Sequence, residues 1–202
     1  MIKKLLLMAL VAVTFASCSN KTSQESADNQ DLAVAVDSLL ANPDNYVDKE
    51  VTIEGAVSHL CAHGGRKAFI LGSDENTMIR CDATAEMGGA FPKDVIHTVI
   101  RVKGKFVEER LDEAGIRELE AQHAQMVSRV ADQDGEEAAQ TAATATTGCE
   151  TERKAAGQAE VESFNAQMAD YRARIADRNT REGKPYLSFY SIQATSYTPL
   201  QD

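Results

Sequence analysis

The sequence predicts a mostly-β domain: a five-stranded barrel interrupted between strands four and five by a long antiparallel helical hairpin. Three observations lead there. Four short segments between residues 50 and 107 read as strands, set apart by glycine-rich or polar turns. Residues 109–183 then change to a helical rhythm. Residues 186–200, "YLSFYSIQATSYTPL", return to the aromatic and β-branched composition of a strand.

The first residues read as an address rather than as fold. Lys3 and Lys4 precede an almost wholly apolar run from Leu5 to Phe15, and Ala16 and Ser17 supply the small residues that signal cleavage needs. That run falls short of the roughly 20 residues that span a bilayer. Cys18 follows, and "FASC" resembles a bacterial lipobox, with Phe15 where leucine is usual. The resemblance implies a signal peptide over 1–17 and a lipidated first residue at Cys18. Its palmitate-like chains would anchor durably, at about 0.8 kcal/mol per buried methylene. Ser19, rather than an aspartate, follows the cysteine, and by the lipoprotein sorting rule this implies the periplasmic side of the outer membrane. Residues 18–30, polar and without apolar periodicity, read as a flexible tether.

The barrel is expected over 31–108 and 184–200. "DLAVAVDSLL" places apolar residues at 32, 36, 39 and 40, one face of a short helix. From Glu50 the period becomes two, with Val51, Ile53, Gly55 and Val57 alternating with more polar neighbours. Gly64 and Gly65 supply a tight turn into a second strand at 68–71. A third strand runs over 77–81, a single helical turn fits near Lys93, and a fourth strand alternates through "TVIRVKGKFV". "KEVTIEGAV" and "HTVIRVKGKF" resemble the first and fourth strands of an OB-fold barrel, with Gly55 and Gly104 where such strands bend. The pattern is similar to that of small OB-fold lipoproteins of the bacterial envelope, described as nucleic-acid-binding-like. It specifies fold and is nearly silent about ligand. The C-terminal segment is expected to complete the barrel by returning beside the first strand.

Between them, Ile116, Leu119, His123, Met126 and Val130 follow a coiled-coil rhythm, and Val161, Phe164, Met168, Tyr171 and Ile175 repeat it. "GEEAAQTAATATTGCE" lies between, low in complexity, and reads as the distal tip. Two arms of about 25–30 residues at 1.5 Å each predict a stalk projecting roughly 40 Å.

Chemistry-bearing residues concentrate in "HLCAHGGRKAF". His59, Cys61 and His63 share one side of an extended strand, and a meander brings Cys81 to the same end of the sheet. Cys61, His63 and Cys81 are therefore a candidate metal or redox set, suited to Zn²⁺ or Cu⁺. Against it, paired Cys-x₂₋₄-Cys spacing is absent, and a structural role for both cysteines leads. Two strand spacings, about 9–10 Å, would keep the two cysteines from bridging unless the barrel curves. His123 reads as a register-setting residue of the seam, and Cys149 as a thiol able to pair with a partner chain. On strands two and three, Arg66, Lys67, Phe69 and Arg80 are candidate ligand contacts, since that face of an OB barrel often binds.

A formal charge of −10 disfavours nucleic acid, whose affinity comes from cations neutralising phosphates. No phosphate-cradling loop, Gly-x-Ser-x-Gly elbow or paired-carboxylate arrangement is discernible. The expectation is a non-enzymatic, lipid-anchored binding or adaptor protein that reaches an envelope partner through its helices. An envelope metal or redox protein is the alternative.

Overall fold

A computed structural model describes residues 32–62, 64–158 and 160–200 of the 202. The signal-peptide and tether readings, Cys18 and His63 lie outside the described residues.

Five strands close a barrel: β1 (Glu50–Leu60), β2 (Lys67–Leu71), β3 (Met78–Ala83), β4 (Val99–Leu111) and β5 (Leu187–Pro199), in the order β1-β2-β3-β5-β4. Contrary to expectation, the last strand does not return beside the first but enters between β3 and β4. β1 is already hydrogen-bonded to β2 along one edge and β4 along the other, so the open place lies between β3 and β4. There β5 runs parallel to β3, from Arg80↔Ser191 to Ala83↔Ala194, and antiparallel to β4, from Ile100↔Pro199 to Leu111↔Leu187. Among the described residues every strand has a neighbour on both sides, which is how a closed barrel avoids pairing with other chains.

The interior follows from the alternation. Ile53, Val57, Ile70, Ile79, Ile100, Val102, Phe106 and Ile192 meet in one buried cluster. The short helix α1 (Val36–Ala41) adds Val36 and Leu39, three residues apart on one face, and so closes one end. Asp37 ties that helix to the β2–β3 turn: its carboxylate accepts from the Ser73 hydroxyl at 2.6 Å and the Ser73 N–H at 2.9 Å. Gly104 marks a close approach, for a β-carbon there would collide with the Gln193 carbonyl and lie 2.8 Å from the Ala194 α-carbon. The β4–β5 register shifts at that point, between Lys103 and Gly104.

The insertion between β4 and β5 is helical, as its position in the chain predicts. Its form differs from the expected two-armed hairpin. Among the described residues it holds four helices: α2 (Glu113–Asp134), α3 (Glu136–Thr144), α4 (Glu150–Ala155) and α5 (Phe164–Glu182). β4 also runs three residues past 108, until Asp112 caps α2 by accepting from the Gly115 N–H at 2.9 Å. Near the barrel the apolar positions of the two arms meet. Ile116 packs with Phe164, Met168 and Tyr171, and Leu187 of β5 joins them, so the roots of α2 and α5 share a core with the barrel wall.

Farther out the seam ends. Gly135, at φ +89°, reverses the chain, and α3 folds back along α2 with Ala139 buried. The alanine-rich segment thus forms a helix against α2 and is no distal tip: alanine favours helix, and its small side chain lets two backbones come close. α4 then returns to the barrel and packs on β2 and β3. α5 is capped by the Ser163 hydroxyl at its start and ends at Gly183, whose N–H donates to the Asn179 carbonyl.

Candidate binding cleft between barrel and insert

Strand alternation decides which side chains face the insert. Ala68, Ile70, Ile79 and Cys81 belong to the interior cluster. Lys67, Phe69, Arg80 and Asp82 alternate with them, and register pairs Phe69 with Arg80 and Lys67 with Asp82. Their face is the outer wall of β2 and β3, and α4 lies over it. Phe69 has no exposed surface although it faces outward, and its ring lies 5.9 Å from that of His59.

The contact that positions α4 is ionic. One carboxylate oxygen of Glu152 accepts from Lys67 Nζ at 2.5 Å and from Arg80 Nη1 at 3.1 Å. All three side chains are largely shielded, at 33%, 22% and 21% exposure for Lys67, Arg80 and Glu152, so the pairs are screened less than on an open surface. Arg80 also meets Asp82 at 3.1 Å and Glu109 at 3.6 Å. Burial works against its charge, but Asp82, Glu152 and Glu109 together outweigh burial and hold the guanidinium above its ordinary range.

A cleft of about 1210 Å³ opens between this wall, the ends of β4 and β5, and the insert. Arg66, Lys67, Arg80, Arg110 and Arg153 line it, against Glu109, Glu118 and Glu152. In a chain of formal charge −10 the cleft therefore reverses the prevailing sign. Its apolar walls include Leu119 on the insert side, Leu111 at the end of β4, and Phe189 and Tyr190 on β5. Phe189 meets Tyr171 edge-on at 5.9 Å, and Tyr190 stacks on Phe106 at 5.4 Å.

Of the predicted contact residues, Lys67, Phe69 and Arg80 share the outer wall, and Arg66, just ahead of β2, lines the cleft together with Lys67 and Arg80. The predicted cysteine set does not come together in the same way. Cys61 lines the cleft, and its N–H donates to the Lys67 carbonyl at 2.9 Å. Cys81 sits inside the barrel with no exposed surface, on the other face of the sheet. Burial pushes its thiol far above the usual range, which disfavours the thiolate that metals and oxidants need. Neither forms a disulfide, and neither does Cys149, which lines the cleft just ahead of α4. Among the described residues no three His, Cys, Asp or Glu side chains are placed to hold a metal ion. His123 stacks on Phe164 with ring centroids 3.7 Å apart, and its Nε2 lies 3.2 Å from the Ala142 carbonyl. It joins α2, α3 and α5.

No family model matches the chain. No curated protein matches it either. Among solved structures, it is similar over 45% of its length to an aspartyl-tRNA synthetase chain from Leishmania major Friedlin, at 21% identity and a TM-score of 0.26. The match spans 18% of that longer chain, and a likeness this slight carries no argument about fold or activity.

Sequence reasoning missed the insert's share of the cleft. Glu152 is 85 residues from Lys67 and stands in a segment with no local signature of contact. Phe189 and Tyr190 were visible only as strand residues. Chemically, the assembled site can recognise charge and cover apolar surface.

Proposed function

We propose that the protein is a non-enzymatic binding and adaptor module of the bacterial envelope, built on an OB-fold and anchored in the outer membrane through a lipidated Cys18. The observation that carries this reading is the cleft: a sign-reversed, partly apolar concavity made jointly by the barrel's β2–β3 wall and the insert. The strand order β1-β2-β3-β5-β4, with β5 parallel to β3, supports the OB-fold assignment. The lipobox-like "FASC" and the tether behind it support the anchor. An insert that leans on the barrel makes one composite site and leaves the outer surface of α2 and α3 open to an envelope partner.

Photo-crosslinking in the intact envelope tests this. A photoreactive phenylalanine analogue replacing Leu119, inside the cleft, should give a discrete adduct. The same analogue at Val99, 39% exposed and outside the cleft, should give none. Adducts of equal yield from both positions, or none from Leu119, would overturn the cleft as the binding element. In the same cells, Cys18→Ala should move the protein from the membrane to the soluble fraction; retention would remove the anchor.

A further inference from the structure

The way α4 is held suggests what the cleft takes. Lys67 and Arg80 are on adjacent strands and face outward, and between them they grip a single carboxylate. That carboxylate comes from a helix of six residues, far below the length at which a helix is stable on its own. Positive-φ glycines, Gly148 and Gly157, stand just outside its two ends. The flanks of α4 bond to α5 through Gln167 and Arg174, and its attachment to the wall is the Glu152 carboxylate in the notch between Lys67 and Arg80. Next to the notch the cleft becomes apolar, toward Leu111, Leu119, Phe189 and Tyr190, all half-buried and short of full cover.

We infer that the notch of Lys67 and Arg80 is the head-group site for an amphipathic organic anion, with Glu152 as a tethered occupant that the ligand displaces. A carboxylate or phosphate head replaces the Glu152 carboxylate between the two cations, and an alkyl or aryl body lies along Leu111, Leu119 and Phe189. Both parts are required. A small anion gains nothing over the tethered carboxylate, which is present at high effective concentration. A neutral amphiphile leaves the ion pairs in place and gains only the apolar wall of the cleft. This inference rests on the cleft being the binding element and adds its ligand class.

Glu152 and Lys67 should then act in opposite directions, which a merely structural role for the ion pair would not produce. Calorimetric titration of the mature protein with decanoate, decyl phosphate, acetate and decyl maltoside, each below its micelle concentration, reads this out. Decanoate and decyl phosphate should bind, and acetate and decyl maltoside should not. Preference between the two binders identifies a carboxylate or a phosphate head. Glu152→Gln, by removing the internal competitor, should tighten decanoate about tenfold. Lys67→Met and Arg80→Gln should each weaken it about tenfold, with circular dichroism checking that the variants fold. Equal binding of decyl maltoside, or an unchanged or weaker affinity in Glu152→Gln, would overturn the inference. A crosslinked adduct at Leu119 without any amphiphile binding would sink the ligand class and leave the cleft standing; loss of both would sink the two together.

Discussion

At Gly104 the absence of a side chain is a packing requirement. A β-carbon there meets the backbone of Gln193 and Ala194, and backbone cannot rotate away as a side chain can. Gly104→Ala should therefore destabilise the fold by about 1–3 kcal/mol, the usual cost of overpacking. Urea denaturation would show it as a lower midpoint with an unchanged slope, and a midpoint within error of wild type would contradict the close approach. The sequence marked Gly104 as a bend because a glycine interrupts an alternating strand. Other residues were less legible. Cys61 and Cys81 share a residue type and a neighbourhood, yet one faces the cleft and the other the interior. Face assignment depends on strand parity, and the turn between β1 and β2 breaks the count from one cysteine to the other.

The helices show how far periodicity reaches. The rhythm of 116, 119 and 123 against 164, 168, 171 and 175 foretold the packing of α2 on α5 near the barrel, because large apolar residues recurring on one face must be covered. It overreached beyond His123, where α3 covers α2 instead. The clamp between α2 and α5 had no such signature. Arg172 donates to Glu113 and to Glu120, two turns apart on α2, at 2.8–3.2 Å. Donating to these two carboxylates holds the guanidinium charge firmly and raises its pKa well above the ordinary range, Glu120 being the larger influence. Arg172→Gln should loosen α2 and α5 without disturbing the barrel. Hydrogen exchange should accelerate in 113–123 and 164–175 while β1 and β4 keep their protection. Uniform acceleration would show that insert and barrel unfold as one unit.

For the molecule as a whole, acid sensitivity follows from carboxylates held below their ordinary range. Asp37 is lowered by the Ser73 hydroxyl and N–H, Asp74 by the N–H groups of Asn76 and Thr77, and Glu120 by Arg172. At Glu108 burial pushes upward, but hydrogen bonds from Arg110 and Ser188 prevail and lower it. A folded-state pKa below the unfolded value means that the unfolded chain binds more protons in between. The stabilisation is then complete above the unfolded carboxylate range, near pH 4, and is lost as pH falls through the folded value. Wild type should accordingly lose urea resistance more steeply than Asp37→Asn between pH 5 and pH 2.5. Parallel curves would show that Asp37 gains nothing from Ser73.

The sequence by itself determined the strands, their glycine-marked bends, the helical nature of the insert and its place before the last strand. All of these are written in local spacing, since period two and period 3.6 place apolar residues on a face that must be buried. Only the tertiary structure decided where β5 enters the barrel, how the insert doubles back at Gly135, and that Glu152 lies between Lys67 and Arg80. Those outcomes depend on which edges and charges remain unpaired once the rest of the chain is in place, and residues 85 apart carry no mark of one another.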